Sequence, residues 1–296
     1  MKKLVKILII ALAVVLLLTG FIWHTNQNDQ LKIYFFDIGQ GDGLLIRTPG
    51  HQNIVIDGGP DNTFISKIGQ VLPFYDRTID LMVLTHPHAD HLTGLIPVLE
   101  RYQVKRVLTS GVIYPSSFYD QWLKLVEQEN AELIFASAGQ NFIFGQVKLA
   151  VLAPLKNYQG QVIVEKGEEA ASANGDNLNN ASIVIKMIYQ ESSVLFTGDL
   201  EIAGEAGLLA SGQDLKADLL KAGHHGSDTA SSQEFLAKVR PKFAVMQVGQ
   251  DNKFGLPDLR VINRLTRQGV QIFRNDQQGD LIFTFDGKNI IFKGIE

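Results

Sequence analysis

A layered α/β fold is predicted for this chain by three observations. Short β-rich apolar runs alternate with stretches of helical period, the runs fall into two groups, and turn signals of hairpin type separate several of them. The first group opens with Leu31–Asp37, Leu44–Thr48 and Asn53–Asp57, followed by a helix near Thr63–Leu72. Ile79–Thr85 then leads into a helix from Asp90 to about Tyr102, the strand Val104–Thr109, a helix near Phe118–Asn130, and strands at Leu133–Ala136 and Phe142–Leu152. The second group contains Ser182–Tyr189 and Ser193–Thr197, a helix near Ile202–Leu209, a short strand at Asp218–Ala222 and a helix at Ser232–Val239. It closes with Phe243–Val248, a helix near Leu259–Gln268, and the strands Ile272–Arg274, Leu281–Phe285 and Asn289–Phe292. Gly39-Gln40-Gly41-Asp42-Gly43 is followed by a strand, so it offers no helix N-terminus to a phosphate and reads as a turn needing positive φ. Ser231-Ser232-Gln233-Glu234 reads as a capping box. The segment from Gln159 to Asn180 lacks apolar periodicity and is expected to be a mobile surface loop.

Ahead of this pattern, Met1-Lys2-Lys3-Leu4-Val5-Lys6 is a basic start to an uncharged apolar stretch from Ile7 to Trp23. At about 1.5 Å per helical residue that stretch nearly crosses a hydrocarbon core of about 30 Å, with Trp23 at the far interface. Residues 1–24 are therefore expected to form a single-pass signal anchor, 25–30 a polar linker, and 31–296 one large α/β domain. The lysines on the N-terminal side put that domain outside the cytoplasm. Cleavage would make it a secreted protein, but no small-x-small site follows the apolar run. The absence of Cys excludes disulfides, thiolate metal ligands and a lipoprotein anchor. A formal net charge of −4 lacks the basic excess of a protein that grips nucleic acid non-specifically.

Thr85-His86-Pro87-His88-Ala89-Asp90-His91 carries the chemistry. It sits where a strand gives way to a helix, so its side chains can converge, and it holds three of the chain's seven histidines; two more are the adjacent pair His224-His225. Imidazoles and a carboxylate packed this closely are costly on an ordinary turn and stable around a divalent cation that favours nitrogen with some oxygen. The spacing resembles the metal-binding motif of the metallo-β-lactamase superfamily. Asp57 at the end of Asn53-Ile54-Val55-Ile56, Asp199 after Val194-Leu195-Phe196-Thr197-Gly198, and His224-His225 follow in the order that family has. More narrowly, Phe36-Asp37-Ile38-Gly39-Gln40-Gly41-Asp42, Asn179-Asn180-Ala181-Ser182, Thr197-Gly198-Asp199-Leu200-Glu201 and Lys221-Ala222-Gly223-His224-His225-Gly226-Ser227 are similar to the hydrolase domain of ComEC-type competence proteins.

The resemblance implies a four-layer αββα sandwich and two divalent ions, Zn or Mn. His86 and His88 then serve one ion, Asp90 and His91 the other, and Asp199 bridges both through its two oxygens. One of His224 and His225 completes the second position while its neighbour meets substrate, so that Asp90, His224 and His225 stand closest to the reacting atoms. Both histidines can be ligands only if the chain turns there, because neighbours on a strand face opposite ways. Asp57 is expected to fix a ligand His through a hydrogen bond, with a plain turn aspartate as the alternative; Ser227 and Asn179 are the other supporting residues. A paired-ion site of this kind lowers the pKa of a shared water and holds the anion under attack.

Two departures qualify the resemblance. Asn179-Asn180-Ala181-Ser182 stands where many superfamily members place a third His for the first ion, and Leu256 stands where the competence domains read Gly-His-Pro. The implied activity is hydrolysis of a phosphodiester outside the membrane, in DNA or in an envelope polymer. The alternatives are hydrolysis of a carboxyl ester, lactone or β-lactam, and a metal-retaining binding protein without turnover. No protein partner is implied. With one apolar segment the chain is expected to be a stand-alone relative that does not itself translocate DNA.

Overall fold

The computed structural model describes residues 2–27, 30–164 and 177–294. In chain order the first elements are α1 (Lys2–Gln27), β1 (Leu31–Phe35), β2 (Gly43–Arg47), β3 (Asn53–Gly58), α2 (Thr63–Val71), β4 (Thr78–Ile79) and β5 (Leu81–Leu84). Then come α3 (Ala89–Leu92), α4 (Leu95–Leu99), β6 (Gln103–Val104), β7 (Arg106–Thr109), α5 (Ser117–Glu129) and β8 (Glu132–Phe135). The second half contains β9 (Asn141–Phe144), β10 (Val147–Ala153), β11 (Val184–Tyr189), β12 (Ser192–Phe196), α6 (Ile202–Ala210), β13 (Leu219–Lys221), α7 (Gln233–Val239) and β14 (Phe243–Met246). It ends with α8 (Leu259–Arg267), β15 (Gln271–Arg274), α9 (Asn275–Gln278), β16 (Leu281–Phe285) and β17 (Ile290–Gly294).

Two mixed sheets form, in the orders β17-β16-β1-β2-β3-β5-β7-β8 and β15-β14-β13-β12-β11-β10-β9, beside a small β4-β6 pair. Each sheet is antiparallel on one side and parallel on the other, the parallel parts being β3-β5-β7-β8 and β12-β13-β14-β15. The strands read as near-continuous apolar runs because both faces are covered. Ile54, Ile56, Leu81 and Val83 join Phe196, Val245 and Phe283 in the core between the sheets. The alternate residues Val55, Met82 and Leu84 pack outward against Phe64 and Ile68 of α2 and Trp122 of α5. Leu195, Leu220 and Met246 do the same beneath Leu208 of α6, Phe235 of α7 and Leu265 of α8. Helix, sheet, sheet and helix layers follow from this alternation.

Several sequence expectations need correction. The helix expected from Asp90 to Tyr102 is two short helices, because at the break between them the Gly94 amide donates to the Gly59 carbonyl at 2.9 Å. A Cβ on Gly94 would lie 1.8 Å from the Gly58 carbonyl oxygen, so this corner is a backbone-to-backbone contact that a continuous helix could not make. The strand expected over Phe142–Leu152 is a hairpin, with Val147 opposite Phe144 and Gly145 at φ 60° in the two-residue turn. Ser232 alone caps α7, accepting from the Phe235 amide, and no capping box forms. The Ser231 and Ser232 amides are taken instead by the Glu205 carboxylate. The loop from Gln159 to Asn180 is tied down at both ends, where Ile163 and Leu178 bury against Val112 and Tyr158; residues 165–176 of it lie outside the described residues.

The apolar start is helical, and Leu4, Val5 and Ile7 to Ile10 are each more than half exposed. Among the described residues no helix is long and apolar enough to cross a membrane. The Trp23 side chain and linker residues 28 and 29 lie outside the described residues.

Candidate metal centre

The parallel strands of both sheets end at one crevice, the place where open α/β sheets present ligands. Asp57 lies at the end of β3, Thr85 and His86 just beyond β5, Asp199 just beyond β12, Lys221 at the end of β13, and Gln247 just beyond β14. The connection from β1 to β2 adds Asp42. Its turn uses Gly39 at φ 77° and Gly41 at φ 137°, and a Cβ on Gly41 would meet the Asp90 carbonyl oxygen at 2.2 Å. The Asp42 amide donates to that same carbonyl at 3.2 Å, so the glycine-rich turn is seated directly on the histidine-rich one.

Two ligand atoms bound tetrahedrally to one ion at about 2.1 Å stand about 3.4 Å apart. His91 Nε2 lies 3.3 Å from Asp199 Oδ2 and 3.9 Å from Asp90 Oδ2. His225 Nε2 lies 3.2 Å and 3.4 Å from the same two oxygens. Both Nε2 atoms are buried without a hydrogen-bond partner, an arrangement that costs free energy unless something coordinates them. Asp90, His91 and His225 therefore form one group whose ligand atoms are close enough to share a divalent cation, with Asp199 Oδ2 beside both imidazoles. A second group, His86, His91 and Asp199, is also close enough to share one. Here His86 Nε2 is 4.0 Å from Asp199 Oδ2 and 2.8 Å from His88 Nδ1, a hydrogen-bond spacing rather than a ligand spacing. The two positions are thus unequal, and neither Asn179 nor Ser182 adds a nitrogen ligand to the first.

The chain does turn at the histidine pair. His224 at φ 48° and His225 at φ 54° are both left-handed, within a 3-10 turn over Gly223–Gly226, and this swings both rings toward Asp199. They do not play the same part. His225 is buried and gives its Nδ1 side to the Gln247 carbonyl at 2.9 Å, leaving Nε2 for the centre. His224 is half-buried at the rim, its Nε2 3.9 Å from Asp199 Oδ2 and its Nδ1 within 3.0 Å of Thr229 Oγ1 and 3.3 Å of Glu201 Oε1. Ser227 and Asn179, expected as supporting residues, both serve His224: Ser227 through Thr229, and Asn179 through an Nδ2 donor to Glu201 Oε1 at 3.2 Å. Asp57 accepts from the Thr85 amide and hydroxyl at 2.8 and 2.7 Å and faces His91 Nδ1 at 2.8 Å.

Asp199 corrects the expectation that its two oxygens face two ions. Oδ2 alone faces His86, His91, His224 and His225, whereas Oδ1 lies 3.7 Å from the Lys221 ammonium. Lys221 and its ion-pair partner Asp42 are both buried, and the sequence reading missed them, as it missed Glu201. A signal was present: a lone charge inside Leu219-Leu220-Lys221-Ala222 is buried with the strand and demands a partner.

Electrostatics follow from this crowding. Burial, with His91 and His88 beside it, holds the His86 imidazole well below its ordinary value, neutral as a ligand nitrogen must be. Burial would depress His91 and His225 as well, but Asp199, Asp57 and Asp90 around the first and Asp199 and Asp42 around the second raise both well above an ordinary imidazole. Against burial, His225, His91 and His224 hold Asp199 far below the usual carboxylate range. Burial lifts Asp57 despite His91 beside it. Carboxylates gathered this densely require positive charge, which protonated imidazoles or a divalent ion can supply.

Fold and site together define a metal-binding hydrolase scaffold, and residues 37–249 match the model of the metallo-beta-lactamase superfamily; the chain belongs to that superfamily. Within it, the chain is 27% identical over 275 residues to ComE operon protein 3 of Bacillus subtilis, covering 87% of this chain and 33% of that protein. It is 29% identical over 279 residues to the competence protein ComA of Neisseria gonorrhoeae, covering 91% of this chain and 35% of that protein. The chain thus spans about a third of the length of these relatives. Among solved structures, the metallo-beta-lactamase fold protein YhfI of Bacillus subtilis superposes with a TM-score of 0.57 at 12% identity, over 87% of this chain and 100% of that one.

Proposed function

We propose that this protein is a metal-dependent phosphodiesterase acting outside the cell membrane, with DNA as its candidate substrate. One observation carries the reading: the buried Nε2 atoms of His91 and His225, which make no hydrogen bond, meet Asp90 and Asp199 oxygens at ligand spacing, beside a rim that reaches solvent. Asp90, His91 and His225, and His86, His91 and Asp199, would hold divalent ions that when bound would supply a water of lowered pKa and positive charge for phosphoryl oxygens. Around it, the chain's own residues divide the work. Asp57 and the Gln247 carbonyl fix which nitrogen His91 and His225 present. His224, braced by Thr229 and Glu201, stands half-exposed where a phosphoryl oxygen or leaving group can take a hydrogen bond. The likeness to competence proteins supports DNA as substrate, and Asn179 in place of a third His speaks against β-lactam hydrolysis. The exposed apolar face of α1 supports seating in a membrane, with the hydrolase body as a separate unit from residue 31 onward.

The test is turnover by the full-length chain in detergent with Zn²⁺ or Mn²⁺. It should cleave bis(p-nitrophenyl) phosphate and DNA, leave a chromogenic β-lactam intact, and fall silent with chelator or as Asp199→Ala. Full metal occupancy without phosphodiester cleavage would overturn the reading in favour of a binding protein.

A further inference from the structure

Lys221 is a fully buried ammonium standing directly behind the carboxylate that the candidate metal centre shares. Its Nζ is bonded to Asp42, donates to the Gly198 carbonyl at 3.1 Å, and lies 3.7 Å from Asp199 Oδ1. Gly198 immediately precedes Asp199, so one cation bonds the main chain just beyond β12 and lies within ion-pair range of the Asp199 side chain. The second oxygen of Asp42, Oδ1, lies 3.2 Å from His225 Nδ1, on the side of that ring turned away from the centre. A single buried ion pair therefore touches the shared carboxylate on one side and a ligand imidazole on the other. Buried charge pairs of this kind are poor sources of stability compared with apolar packing, so this one calls for another explanation.

We propose that Lys221, held by Asp42, is a positioning residue that keeps Asp199 Oδ1 out of the metal centre, so that Asp199 presents only Oδ2. Asp199 Oδ1 is buried with no hydrogen-bond partner and is held only by the charge of the ammonium 3.7 Å away; without that charge the carboxylate rotates to bring both oxygens toward the ions. The ligand geometry then changes even though no ligand has been removed. This inference rests on the metal-centre reading above, and its test separates the two.

Full-length wild type, Lys221→Met and the double variant Asp42→Asn/Lys221→Met are compared for Co²⁺ affinity by equilibrium dialysis, for the visible Co²⁺ spectrum, and for thermal midpoint in chelator. Lys221→Met leaves Asp42 as an unpaired buried charge and should unfold more easily, and the double variant removes that charge and should recover the midpoint. Both variants should bind Co²⁺ about 10–100-fold more weakly, the range for groups that orient metal ligands. Their visible bands should weaken as Asp199 adds a second oxygen. If Lys221→Met does not fold, the double variant carries the same comparison. A double variant that regains affinity and spectrum along with its midpoint would show a purely structural ion pair and overturn the proposal. A wild type that binds no Co²⁺ would overturn it together with the metal-centre reading, whereas wild-type binding with unaltered variants overturns the proposal alone.

Discussion

Asp57→Asn isolates a single proton on His91. Asp57 is fully buried and accepts on Oδ1 from the Thr85 amide, while its Oδ2 meets the Thr85 hydroxyl and His91 Nδ1. Asn has the same shape and tolerates the left-handed backbone here, φ 56°, so the fold is retained. Its Oδ1 can still receive the Thr85 amide, which forces the Nδ2 donor toward Thr85 Oγ1 and His91. The hydroxyl can rotate and accept; the imidazole can accept at Nδ1 only by carrying its proton on Nε2, the atom 3.3 Å from Asp199 Oδ2 that the ion requires. The expected loss is about 10–100-fold in metal affinity, or about 1.4–2.7 kcal/mol, the range for partners that set a ligand's tautomer. Competition with a chromophoric chelator for Zn²⁺ measures it, with circular dichroism as the control on folding. Affinity of Asp57→Asn within threefold of wild type would refute the tautomer argument.

Further predictions separate neighbouring roles. His225→Ala should abolish tight metal binding while His224→Ala retains it and loses turnover, as metal analysis paired with phosphodiester kinetics will read; equal metal loss in both would contradict the division between centre and rim. Metal requires neutral imidazoles, yet His91 and His225 titrate well above the ordinary 6.5. Binding at pH 7 should therefore release protons, detectable by calorimetry in buffers of different ionisation enthalpy, and affinity should keep rising above neutrality. In chelator the sign reverses for stability: raised imidazoles contribute stability that is complete below about 6.5 and is lost as pH climbs through their folded values. The metal-free thermal midpoint should accordingly fall on the alkaline side of neutrality, and a flat profile there would count against the assignment. Gly94→Ala should cost about 1–3 kcal/mol or more, since its Cβ would lie 1.8 Å from the Gly58 carbonyl oxygen and neither backbone can give way without moving the His91 turn. An unchanged midpoint would show that this corner is not tightly packed.

Much of the molecule is legible in the residues themselves. The spacing of His86, His88, Asp90 and His91 points to the candidate centre because such groups are costly together without a cation, although only His86, Asp90 and His91 of them fall in groups close enough to share one. The switch between two-residue and helical apolar periods locates most strands and helices for the same kind of reason, burial on defined faces. Legibility fails where backbone meets backbone. Nothing in Thr93-Gly94-Leu95 says that Gly58 will press against it and split a helix, and nothing in Leu281–Phe285 says that it will pair with β1, which lies about 250 residues earlier by the register Leu31 opposite Phe285.

Sequence by itself determined the inventory: an apolar N-terminal helix, two groups of strands, and five imidazoles and several carboxylates of the kind that hold divalent ions. Only the tertiary structure decided how they are used. It placed His225 inside and His224 at the rim, brought Asp42 and Lys221 in behind Asp199, and turned one carboxylate oxygen toward four histidines. The physical reason is that a residue's type fixes what it can bind, whereas the atom it presents depends on partners brought to it by sheet order and strand register. Those partners are dozens to hundreds of positions away along the chain.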